Sequence, residues 1–141
     1  MKKLIIGILA VGILMLTIVS AISVGFSPSS FVFTTKEGEQ VCKVVNLRTS
    51  GDSIAVTDQW AGDSVMAWRV SNFKTEAKEL NILQQYNPIQ ANDGKIEVCY
   101  TFQEAGNYRG VILLTPQQTN TNGGLQQIVR VGVWIKATIT E

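Results

Sequence analysis

The chain has 141 residues, 12 Lys/Arg against 11 Asp/Glu for a formal charge of +1, and no histidine. The missing histidine removes the commonest general base, the commonest zinc ligand and the usual pH switch together. A charge so near zero also argues against a nucleic-acid binder, which presents a net basic surface.

Lys2 and Lys3 are followed by a run without any charge from Leu4 to Phe26. As a helix it would reach about 34 Å, enough for a hydrocarbon core of ~30 Å. The two lysines would stay on the cytoplasmic side and leave the rest of the chain outside. The competing reading is a cleaved signal peptide, because Val19-Ser20-Ala21 supplies small residues where a signal peptidase reads. Residues 1–26 are therefore expected to be a signal anchor or signal peptide. Residues 27–141 would be one extracytoplasmic domain, long enough to bury a single core. The expected location is the cell membrane, single-pass with the C-terminal domain outside, or a secreted or periplasmic protein after a cut near Ala21.

Turn signals divide that domain into short segments. Ser30–Thr34 alternates around Phe31 and Phe33 and ends at Lys36-Glu37-Gly38. Gln40–Leu47 and Ser53–Trp60 follow, then Val65–Phe73 and Leu80–Tyr86, with a helix allowed only over Lys74–Leu80. Lys95–Phe102 sets Ile96, Val98, Tyr100 and Phe102 on one face against Lys95, Glu97, Cys99 and Thr101 on the other. Asn107–Thr115 precedes a polar loop from Pro116 to Gly124. In Gln126–Thr138, Val129, Val131, Val133 and Ile135 alternate with Arg130, Gly132, Trp134 and Lys136. Period-2 alternation in β-branched residues at this turn spacing predicts an all-β, two-sheet antiparallel sandwich.

The order Ser27-Pro28-Ser29-Ser30-Phe31-Val32-Phe33, Val44-Val45-Asn46-Leu47, Val98-Cys99-Tyr100-Thr101-Phe102 and Gly106-Asn107-Tyr108-Arg109-Gly110-Val111-Ile112 resembles the immunoglobulin-like sandwiches related to major sperm protein and the PapD-type chaperones. The resemblance spans most of Ser27–Thr138 and implies an immunoglobulin-like sandwich of about seven or eight strands. It also implies a binding or scaffolding role. The basic residues with which pilus chaperones grip a subunit's terminus find no match, so chaperone function is not carried over.

Two cysteines in an exported chain are read first as one disulfide. Alternation turns Cys99 outward, and the register implied by the resemblance turns Val41 and Val45 inward and Cys42 outward. Lys43 then faces inward and must snorkel to the sheet edge. In an immunoglobulin-like order the two strands are neighbours, which implies a Cys42–Cys99 bond on the outer face; two unpaired thiols are the alternative. Zinc is set aside, since two thiols without His or a CxxC pair make no tetrahedral site.

No catalytic, cofactor or metal signature of strength is present. Ser71-Asn72-Phe73-Lys74 has the spacing of the penicillin-recognising Ser-x-x-Lys but lacks its companion elements, and a strand-end turn accounts for it. Glu76 with Glu79, and Asp58 with Asp63, read as solvated charges. No Asn-x-Ser/Thr sequon occurs. Trp68 is expected in the core. Trp60 and Asp63 sit at a loop edge that an anchored domain would point away from the bilayer, and they form the candidate binding surface. Trp134, on the polar side of its strand, is the second candidate.

The sequence therefore points to a non-enzymatic, membrane-tethered, extracytoplasmic immunoglobulin-like module for protein interaction or envelope scaffolding. Its partners would be the membrane, through the N-terminal helix, and a protein or envelope component; nucleic acid is not expected and self-association stays open. The alternative is a component of a surface filament or its machinery, such as a pilin-like or archaellum-stator-like subunit. Met1-Lys2-Lys3-Leu4-Ile5 lacks the charged-glycine site that pilin processing uses.

Overall fold

A computed structural model describes residues 23–49, 53–62, 69–88, 90–91, 94–117 and 129–141. The expected N-terminal helix and signal site, Asp63, Trp68 and the loop around residues 119–122 lie outside them. Among the described residues no helix is long and apolar enough to cross a membrane.

The described chain is all-β, with two short 3-10 helices at Val70–Asn72 and Ala77–Leu80. Nine strands form two layers: β1 (Val24–Ser27), β3 (Gln40–Thr49), β7 (Gly94–Phe102) and β5 (Ile82–Asn87) in one sheet, and β2 (Ser30–Lys36), β9 (Val131–Thr140), β8 (Gly106–Gln117), β4 (Ser53–Trp60) and β6 (Gln90–Ala91) in the other, each in that spatial order. Inward-facing residues alternate as the sequence predicts. Ile96, Val98, Tyr100 and Phe102 of β7 are buried, and so are Val133, Ile135, Ala137 and Ile139 of β9. With Phe31, Phe33, Val45, Leu47, Ile54, Ile112 and Leu114 they make one continuous core between the sheets.

Four expectations are corrected. The sandwich begins before Ser27: Val24, Gly25 and Phe26 pair with Thr49, Arg48 and Leu47. Not every pair is antiparallel, because β2 runs parallel to β9 from Ser30↔Trp134 to Lys36↔Thr140. The strand count exceeds eight because two extended runs are each broken and divided between the sheets, one into β1 and β2 and the other into β5 and β6. Both breaks fall at prolines, Pro28 and Pro88, each after a cis peptide bond; proline has no N–H to give a ladder. Finally, residues 70–72 of the expected strand Val65–Phe73 form a 3-10 turn.

A second, smaller apolar cluster lies on the outer face of the five-stranded sheet. There Phe73, from the connection between β4 and β5, packs on Val111 and Leu113 with Ala61 and Trp134 alongside. At the far end of the sandwich Gly38 turns β2 into β3 at φ 75°, where a Cβ would be strained.

Candidate functional site

Along β4 the core-facing positions are Ile54, Val56, Asp58 and Trp60, so alternation aims a carboxylate between the sheets. Trp60 is fully buried, and its ring lies over Gly110, the opposite residue on β8, where a Cβ would come within 2.7 Å of the indole. Its edge-to-face partners are Tyr100 and Phe102, at ring separations of 5.3 and 5.8 Å. The indole Nε1 donates to Asp58 Oδ2 at 2.9 Å. From the opposite sheet, Gln84 on β5 donates its amide nitrogen to both carboxylate oxygens at 2.7 Å, in the orientation that satisfies both groups. The Tyr86 and Tyr100 hydroxyls, 3.5 Å apart, complete the cluster.

Burial raises the Asp58 pKa, and hydrogen bonds from Trp60, Tyr86 and Tyr100 and from its own backbone partly oppose that rise. Desolvation, together with the nearby carboxylate, pushes both tyrosines upward, so they stay protonated as donors at neutral pH. Among the described residues Asp58 has no cationic partner; the ion pair found there joins exposed Lys78 and Glu76 at 2.6 Å.

Of this cluster, Asp58, Gln84 and Tyr86 line a groove of about 480 Å³ between β4 and β5, together with Thr57, Lys74, Ala77 and Lys78. The rim of the groove is an open strand edge. β6 pairs with β4 only at Ile54 and Ala55, and beyond them Trp60 exchanges backbone bonds with Thr75 at 2.9 and 3.1 Å. Alternation turns the N–H and C=O of Val56 and Asp58 to that same edge. Among the described residues no strand pairs with them there. A half-buried carboxylate in a groove is a candidate acid or base, but its oxygens already accept from Trp60 and Gln84. The arrangement is suited to holding an extended segment against a strand edge.

No family model and no curated protein matches the sequence. Solved structures do. The ASH/PapD-like domain 7 of human CEP192 superposes with a TM-score of 0.56 at 14% identity, over 84% of this chain and 85% of that one. The class 5 fimbriae chaperone CfaA gives 0.56 at 8% identity, and a chaperone–tip adhesin complex of CFA/I fimbriae gives 0.55 at 7%, each over 84% of this chain and 57% of the other. The fold is an immunoglobulin-like β-sandwich, similar to those of these PapD-like domains. The strand shared between sheets and the Tyr108 hydroxyl, which donates to the Glu104 carbonyl at 2.9 Å just upstream of β8, accord with that class.

In this sandwich Cys42 and Cys99 sit directly opposite each other on β3 and β7 and are disulfide-bonded, with their Cα atoms 4.1 Å apart. Lys43 keeps the inward register beside Val98 yet is exposed, as snorkelling requires. The one trio with metal-site spacing among the described residues is Cys42, Glu97 and Cys99, and the bond uses up both sulfurs. Trp60, expected at the contact surface, is instead a core residue: Gly110 leaves room for its ring, and Thr75 closes the chain over it. Trp134 is half-buried beneath Phe73, the rings 5.5 Å apart. Ser71 and Lys74 are exposed. Glu76 and Glu79 form the capping box of the second 3-10 helix rather than a catalytic pair.

Asp58, read from the sequence as a solvated charge, is instead largely buried between the sheets. The signal was there, since it shares its parity with Ile54, Val56 and Trp60.

Proposed function

We propose that this chain is a non-enzymatic, extracytoplasmic immunoglobulin-like module, tethered by its N-terminal apolar run, that contacts a protein or envelope partner along the open edge of β4. The observation that carries the reading is that edge, residues 56–59, beside the Asp58 groove. Unpaired strand edges are templates for an added strand. The Cys42–Cys99 bond supports an oxidising compartment, and the run after Lys2 and Lys3 supports delivery there. A photo-crosslinking residue in place of Thr57, at the groove, should capture a defined partner in intact cells. The same residue in place of exposed Lys136, on another strand, should not. Equal capture from both positions, or none from either, removes the reading.

A further inference from the structure

We propose that a second depression, along β1, β3 and β7, binds the phosphate headgroups of an anionic lipid surface; this rests on the tether reading above. The depression has a volume of about 560 Å³ and is lined by Gly25, Ser27, Asn46, Arg48, Gly94 and Lys95, with apolar Phe26 and Leu47 beside them. Its two charged residues are both cations. Arg48 stands opposite Gly25, and Lys95 opposite Asn46, which in turn faces Ser27. The glycine next to Arg48 leaves an open floor, while the serine and asparagine bring a hydroxyl and an amide. Arg48 and Lys95 are exposed, and among the described residues neither has an acidic partner at ion-pair distance. Glu97, the next outward residue on β7, does not line the depression.

Chain length decides the occupant. Because β1 starts at Val24, the apolar run has only Leu4–Ser23, 20 residues, in which to cross. At about 1.5 Å per residue that is about 30 Å, the hydrocarbon thickness itself, with no linker to spare. Gly25 and Arg48 then lie within roughly 7 Å of the hydrocarbon boundary along a strand rising about 3.3 Å per residue, inside the headgroup layer. In the sequence Asp52 and Asp93 stand close to Arg48 and Lys95, and they lie outside the described residues. Binding must therefore come from this local pair of cations rather than from net charge.

The test uses the full chain, its intact mass confirmed, reconstituted in nanodiscs of phosphatidylcholine alone or with about one lipid in four replaced by phosphatidylglycerol. Anionic lipid should slow amide exchange in residues 24–27 and 46–48 by about five-fold for each cation engaged. High salt should abolish the slowing, and so should Arg48→Gln with Lys95→Gln, a pair of exposed changes that leaves the melting temperature unmoved. Equal exchange in the two lipids, with the chain inserted, overturns the inference and leaves the tether standing. Inorganic phosphate reproducing the effect on neutral nanodiscs overturns the lipid assignment. A chain recovered soluble and cut near Ala21 overturns the tether itself, and the inference with it.

Discussion

Trp60 and Gly110 should behave as one unit. Removing a fully buried tryptophan costs about 3–5 kcal/mol. Trp60→Ala also takes a donor from Asp58, about 1 kcal/mol more. A domain of ordinary stability, about 5–15 kcal/mol, would be left marginal. Gly110→Ala should cost about 1–3 kcal/mol by overpacking, since the new Cβ would meet three indole carbons at 2.7, 2.9 and 2.9 Å. The two losses should not add. With the indole gone, the methyl group introduced by Gly110→Ala fills part of the space it opened, so the double variant should recover at least about 1 kcal/mol relative to the sum. Urea denaturation followed by circular dichroism measures each corner, and Trp60→Phe replaces Trp60→Ala if the latter has no folded population. Additivity within about 0.5 kcal/mol, or a neutral Gly110→Ala, would refute the packing argument.

Non-reducing peptide mapping should find Cys42 linked to Cys99, and replacing both with serine should cost roughly 4 kcal/mol for a loop of this length, read from urea midpoints. Val98→Asp should unfold the domain by burying a carboxylate in a fully enclosed position, while Thr101→Asp, on the outer face of the same strand, should barely shift the melting temperature. Asp58 has its folded-state pKa raised by burial, so the native state holds its proton more tightly than the unfolded chain. Stability from this group therefore grows as pH falls from neutrality towards the ordinary carboxylate range, and is lost as pH rises through the folded value. Wild type should gain on Asp58→Asn over that interval, and parallel pH–stability curves would count against the assignment.

Much of the sandwich is legible in its strands. β4 runs from Ser53 to Trp60 as the turn signals predict, and the faces of β7 and β9 follow from alternation alone. β1 was hidden because its residues sit at the end of an apolar run, where hydropathy cannot separate a helix tail from a strand; pairing with β3 decides it. Asp58 was misread for a different reason. The rule that carboxylates face water competed with its parity, and parity prevailed because Gln84, Tyr86 and Tyr100 arrive from β5 and β7, which no local pattern announces. Phe73 is likewise a non-local event: its cover over Val111, Leu113 and Trp134 depends on a connection crossing the sheet.

The parallel pairing of β2 with β9 also fixes how the domain bears load. A pull applied at the start of β2, Ser30, and at the finish of β9, Thr140, runs in opposite directions along adjacent strands. The seven paired positions from Ser30↔Trp134 to Lys36↔Thr140 are thus strained together in shear rather than peeled one after another. In a pulling experiment between Ser30 and Thr140, rupture should come as a single high-force event. On the other sheet, β1 pairs with β3 over only four positions at the edge, so a pull applied ahead of Val24 loads that short contact first and should release it at lower force, before the core is disturbed.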